Sequence, residues 1–245
     1  MADASVPPAV RRQVPRVLRL IRDQRSVEVL IGSVGTADLT VRMAVVKALN
    51  RLRESAPQLQ LPAAAINRQI QSEATQCFQL HTQLVPLRAA ARPRSAVALL
   101  VRTLEIRVQQ SRERLFRLLG LRYSPNEIYN VYLALESGKA DRVTPAHDYL
   151  DSLLERDIKR LVMPLLDSSD RLSAHARDLL RIEPKSLQTA VGELLLSGDS
   201  WITMCAIATA AEMKLQGLAK DIAKAAEHAG QETVVLARAA AAALA

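Results

Sequence analysis

Apolar side chains recur through the second half of the chain at helical spacing. Ile158, Leu161, Val162 and Leu165 follow an i, i+3, i+4, i+7 stripe, the signature of one buried helix face. Leu172, Ala176 and Leu179 form the next stripe, Leu187, Val191 and Leu194 another, and Ile202, Cys205, Ala206 and Thr209 a fourth. Ile222, Ala226 and the run Val234 to Leu236 continue the scheme. Polar turn positions separate these stretches: Asp141-Arg142, Asp170-Arg171, Asp199-Ser200 and Gln231-Glu232, at steps of 29, 29 and 32 residues. Each period predicts a helical hairpin, and stacking hairpins is how such units bury their apolar faces. An Asp or Ser at the turn can accept hydrogen bonds from the free N–H groups of the following helix. Pro164 falls inside a helical run and should bend it.

The first half holds one more unit of this kind. Val27, Leu30, Ile31 and Val34 predict a helix, Gly35-Thr36-Ala37-Asp38 a turn, and Val41, Val45, Ala48, Leu49 and Leu52 a second helix. The stretch Asp38 to Leu49 resembles the second helix of a HEAT repeat. Before it, Val14, Val17, Leu18 and Ile21 stripe a helix starting near Pro8, which reads as the second half of a unit whose first half is absent. Residues 62–119 depart from the short period. Ile66, Ile70, Ala74, Cys77, His81 and Leu84 form one long stripe, which Pro86 to Pro93 should break. Val97, Val101, Leu104, Val108, Ser111, Leu115 and Leu118 then alternate steps of four and three, a heptad seam. The pattern predicts an antiparallel pair of long helices.

Composition agrees. Of 245 residues, 49% are hydrophobic, 24% are charged and only 8 are Gly, which suits helices and leaves little for phosphate-cradling loops. Every apolar stretch is too short and too charged to span a bilayer, Met1 to Pro8 lacks the pattern of a secretory signal, and two cysteines make no disulfide framework. A reducing, cytoplasmic setting is expected. Charge is uneven: residues 1–120 carry 19 Lys/Arg against 8 Asp/Glu, whereas residues 121–245 carry 14 against 17.

Several stretches carry a wider resemblance: Val10 to Leu18, Val45 to Arg53, Arg114 to Leu121, and from Ile128-Tyr129 through Leu150 to Leu154. They look like the HEAT-repeat region of bacterial multidomain proteins related to the ATP/ADP translocases. The resemblance implies neighbouring transporter-like and cyclic-nucleotide-binding domains, neither of which is in these residues, and a place at the inner face of the membrane through a partner or fused domain. It carries no active-site residue.

Candidate chemistry is sparse. Cys77 and His81, one helical turn apart, could be half a zinc site, but both lie on the apolar stripe, and buried Cys usually behaves as a small hydrophobe. His147, Asp148 and Asp151 could be a base and its orienters; a helix start, where acids stay solvated, is the plainer reading. His175 and His228 stand alone. Gly32-x-x-Gly35 is a repeat turn, with no Lys-Ser/Thr following it. Trp201 either anchors a partner or caps the core beneath a turn.

Arg12, Arg16 and Arg19 share a helix face, and Lys47, Arg51 and Arg53 follow on the next long helix. Helix surfaces are usually charged, so a solvated face is the plain reading; the functional one is a basic strip for phosphates, anionic lipid or an acidic protein segment. The expectation is thus an all-α, right-handed solenoid of HEAT- or armadillo-like hairpins with a long antiparallel helical pair inserted in its middle. Residues 1–61 and 121–245 would hold the repeats and 62–120 the pair. With no recognisable nucleophile, metal set or cofactor loop, a non-enzymatic scaffold that binds another protein is expected, its candidate contacts being those six basic residues. Nucleic-acid binding through the basic half is the alternative, disfavoured because aromatics are only 3%. Neither end looks like a polar-faced cap, so apolar faces should stay open there, most clearly at Val234, Leu236 and the alanines that follow.

Overall fold

The structure, a computed structural model, describes residues 6–36, 38–167, 169–227 and 230–244. Helix makes up 81% of the described residues and no strand occurs among them, so the fold is all-α. The chain divides into two compact units, Met1–Gln76 with Ser111–Leu166, and Cys77–Gln110 with Asp167–Ala245.

The first unit holds α1 (Pro8–Arg11), α2 (Val14–Ile21), α3 (Gln24–Gly32), α4 (Leu39–Ser55) and the first part of α5 (Ala63–Ala90). It continues with the last part of α6 (Ala96–Arg122), α7 (Pro125–Glu136), α8 (Ala140–Leu153), α9 (Arg156–Val162) and a 3-10 turn at Met163–Leu166. Helices α3 and α4 form the expected hairpin. Asp38 caps α4 by accepting from the N–H groups of Thr40 and Val41, and Asp23 caps α3 through Ser26. The stripe Val41, Val45, Ala48, Leu49 and Leu52 is buried as the spacing predicts, against Val27 and Leu30. Asn50 on α4 donates to the Arg117 carbonyl at 2.9 Å. Gly120 lets the helices meet there, because a Cβ would stand 2.7 Å from Asn50 Oδ1 and force that side chain to move.

The second unit takes the rest of α5 and α6, then α10 (Ser169–Leu180), α11 (Leu187–Leu195), α12 (Ser200–Glu212), α13 (Ala219–Glu227) and α14 (Gln231–Leu244). A 3-10 turn at Gln216–Leu218 leads into α13. The four polar turn positions all fall at helix starts. Asp141 and Asp170 lie in the first turns of α8 and α10, Asp199 caps α12, and Gln231 opens α14.

Two modes of hairpin packing occur in this second unit. The ends of α11 and α13 (Leu195, Ala225) meet the starts of α12 and α14 (Ser200, Gly230) around one small cleft. Corresponding helices of these two hairpins therefore run parallel, as in a repeat stack. Helix α6 relates to α12 in the opposite sense. Arg107 pairs with Asp199, the Trp201 indole N–H donates to Thr103 Oγ1 at 3.2 Å, and Ala96 N–H donates to Glu212 at 2.5 Å. Numbers rise on one helix as they fall on the other, so α6 and α12 are antiparallel, as in a bundle. The core between them is aliphatic: Leu84, Leu87, Val97, Leu100 and Leu104 with Val191, Leu194, Ala206, Ile207 and Ala210.

The structure corrects several local expectations. Helix α5 runs through Pro86 to Ala90, so the chain breaks at residues 91–95 rather than from Pro86. A proline four residues from a helix end costs one hydrogen bond near a terminus that already has unmatched carbonyls. At Pro164 the helix does not merely bend; it tightens into the 3-10 turn. The predicted first helix is interrupted at residues 12–13; of its stripe Val17 and Ile21 are exposed, while Val14 and Leu18 are half-buried beside the buried Pro15 on α2, which packs against α3 and α4. Helix α14 buries Thr233, Ala237, Ala240 and Leu244 rather than Val234 and Leu236, which are half-buried.

Candidate functional site

The basic residues singled out in the sequence converge in the first unit. Thr40, Ala44, Lys47, Ala48 and Arg51 recur every three or four residues on α4 and share one face. Helix α2 and the turn before it run alongside with Arg12, Gln13, Arg16 and Arg19. These residues and Met43 line an open cleft of about 600 Å³. The small side chains of Ala44 and Ala48 leave this space; larger ones would fill it.

The cations differ in how far they are neutralised. Lys47 pairs with Glu113 at 3.4 Å and Arg51 with Glu54 at 3.2 Å. Burial pushes the Glu113 pKa up. The hydrogen bond from Arg117 and the charges of Lys47 and Arg117 outweigh that and hold it below the usual carboxylate range. Arg16 reaches only the neutral Gln13, at 3.4 Å. Arg12, Arg16 and Arg19 make no ion pair among the described residues, and Arg19 Nε is enclosed without a hydrogen-bond partner. The cleft thus keeps uncompensated positive charge on its α2 side.

Arg53 does not join this cleft. It turns to the end of α6 and donates to the Leu121 carbonyl, one of the last unmatched acceptors of that helix. Its pKa is lowered, first by burial and then by Arg122 nearby. A smaller cleft, about 280 Å³, adjoins Lys47 and Arg51 and includes Tyr129. That ring is occupied: the Arg117 guanidinium lies 4.5 Å from its centroid, and Tyr132 stacks at 6.1 Å.

One polar cluster escaped the sequence reading. Glu73 and Arg114 are buried to within 2–3% of full enclosure, with Ser111 beside them. Glu73 Oε1 accepts from Ser111 Oγ at 2.5 Å and from Arg114 Nε and Nη2 at 3.0 and 2.7 Å, while Arg42 stands 3.5 Å from Oε2. A signal was present. Glu73 falls on the line Ile66, Ile70, Cys77 with heptad steps, and Ser111 is the lone polar seam residue opposite it.

The remaining candidates stay apart. Cys77 and His81 are buried on α5, and His81 Nε2 lies 3.2 Å from Ser173 Oγ. No group of three or more potential metal ligands gathers among the described residues. His147, Asp148 and Asp151 sit in the second half of α8, not at its start, because the helix already begins at Ala140; Asp151 pairs with Lys159 at 2.8 Å. His175 is not alone, since Asp167 stands 3.4 Å away, and His228 lies outside the described residues, as does Ala37 of the α3–α4 turn. Trp201 is 49% exposed at the start of α12. No helix among the described residues is long and apolar enough to cross a membrane. Comparison of the chain with protein-family models, with curated proteins and with solved structures gave no match.

Proposed function

We propose that the chain is a non-catalytic helical interaction module, a HEAT-like scaffold whose basic cleft receives an acidic segment of another protein. The observation that carries this reading is the convergence of Arg12, Arg16, Arg19, Lys47 and Arg51 on one cleft. Three of these cations make no ion pair among the described residues, so an anionic partner gains their charge without breaking the pairs of Lys47 and Arg51. The parallel stacking of α11/α12 on α13/α14 supports the solenoid part of the reading. The resemblance to the repeat region of translocase-related proteins supports a cytoplasmic regulatory or linker role beside transporter-like and cyclic-nucleotide-binding domains. Nucleic acid is the weaker alternative. The ring of Tyr129, beside the cleft, is already engaged by Arg117 and Tyr132, which leaves less of it to stack on a base.

Fluorescence anisotropy with a labelled Asp/Glu-rich peptide and with mixed-sequence DNA tests the reading. Peptide binding should weaken with salt and fall about ten-fold or more in the Arg12→Gln/Arg19→Gln variant. Absence of peptide binding would overturn it, and tight DNA binding with a steep salt slope would favour the alternative.

A further inference from the structure

Helix α2 carries a second surface, distinct from the cleft. Val17, Leu20 and Ile21, spaced i, i+3, i+4, share its outward side and are 59, 67 and 55% exposed. Aliphatic side chains this open, grouped on one short helix, are not the scattered exposure normal for a soluble surface. The strip is flanked mainly by basic side chains; Glu54 lies near Leu20 and Arg22, and the exposed Asp23, between Arg22 and Arg25, caps α3 through Ser26. Arg16 lies one turn from Leu20, Arg22 and Arg25 follow the helix, all three are exposed, and no Asp or Glu occurs from residue 6 to residue 22.

We propose that this strip docks the protein on an anionic membrane surface, with Val17, Leu20 and Ile21 entering the headgroup–acyl boundary and Arg16, Arg22 and Arg25 meeting lipid phosphates. The arrangement is that of an interfacial helix, which needs hydrocarbon for one side and fixed negative charge beside it. A second copy of the chain fits worse. A two-fold contact through the strip would bring the arginines of one molecule against those of the other. An acidic peptide satisfies the arginines but offers no apolar plane for three adjacent aliphatics. The inference does not rest on the cleft as a peptide site, since Val17, Leu20 and Ile21 lie outside it and Arg16 alone of the strip's named residues lines both.

Sedimentation with vesicles of phosphatidylcholine alone, and of phosphatidylcholine with phosphatidylglycerol, tests this on the full chain. The protein should partition onto the phosphatidylglycerol vesicles, less so as salt rises, and hardly onto phosphatidylcholine alone. Val17→Asp/Leu20→Asp should lower that partitioning about ten-fold or more, whereas Lys47→Gln/Arg51→Gln should change it by no more than about two-fold. Both strip residues are over half exposed, so the variant should keep the parent's circular dichroism; Val17→Ser/Leu20→Ser, without added charge, should also weaken binding. The proposal is overturned if phosphatidylglycerol vesicles bind no protein, or if the strip variants bind as the parent does. It is overturned equally if the parent is a dimer that the strip variants dissolve, or if those variants lose the acidic peptide instead of the vesicles.

Discussion

Helices α5 and α6 line their two ends differently. In the first unit the buried aliphatic residues of these helices, Ile66, Ile70, Leu115 and Leu118, are joined by Glu73, Ser111 and Arg114, with a carboxylate and a guanidinium both shut away from water. In the second unit Leu84, Leu87, Val97, Leu100 and Leu104 do the same job with aliphatic carbon, and the charged pair Arg88–Glu105, at 2.9 Å, stays at the exposed edge. An aliphatic seam is strong but tolerant, because one Leu can replace another after a heptad slip. A buried ion pair gives little net stability, since desolvation offsets its attraction, but it permits only one register. Within the first unit the buried ion pair fixes the register of its stretch of α5 and α6; within the second unit aliphatic burial holds its stretch.

The largest expected effect comes from breaking the ionic half. Glu73→Ala leaves Arg114 buried without its carboxylate and should destabilise by about 3–5 kcal/mol. Thermal melts should show a loss of order 10 °C. The double change Glu73→Met/Arg114→Leu removes both charges and should recover most of that loss. A neutral single variant, or a double variant as damaged as the single, would remove the distinction between the two halves.

The aliphatic half should fail in a different place. Leu100→Ala opens a cavity in a fully buried site and should cost about 2–5 kcal/mol. Hydrogen exchange should then show lost protection mainly at residues 77–110 and 187–244, with the α3–α4 hairpin retained. Uniform loss over the chain would mean that the units unfold as one.

These contrasts explain which parts of the fold the sequence revealed. Periodicity found the helices because burial acts on each helix face: Val41 to Leu52 and Ile66 to Leu84 were identified from spacing and are buried. Polar caps marked the helix starts, as at Asp38 and Asp199. Spacing does not state the sense in which hairpins pack. The antiparallel meeting of α6 with α12 depends on tertiary contacts such as Arg107–Asp199, 92 residues apart in sequence. Nor does it state which stripe a short helix will use. Of the stripe Val14, Val17, Leu18 and Ile21 on α2, only Val14 and Leu18 are half-buried, beside the buried Pro15, and Val17 and Ile21 stay exposed. The basic residues were legible by their shared faces, except Arg53, whose guanidinium is long enough to serve a neighbouring helix end instead. The Glu73 cluster was missed because a charge inside an apolar stripe looks like an error in the stripe until its partner is known.

A smaller effect tests how apolar the second unit's core needs to be. Thr209 lies in α12 among Ala206, Ile207 and Ala210, is fully buried, and its Oγ1 has no hydrogen-bond partner among the described residues. Thr203, on the same helix and also buried, donates to the Leu195 carbonyl at 3.3 Å. Threonine and valine have nearly the same shape, so each Thr→Val change mainly exchanges a hydroxyl for a methyl. At Thr209 the exchange removes an unsatisfied polar group and should stabilise by about 1 kcal/mol. At Thr203 it deletes a hydrogen bond and leaves a carbonyl with one partner fewer, and should cost about 0.5–1.5 kcal/mol. The two melting temperatures should therefore move in opposite directions, each by about 2–4 °C. If both variants fall together, the Thr209 hydroxyl is satisfied in solution, and the second unit's core is less purely apolar than its side chains indicate.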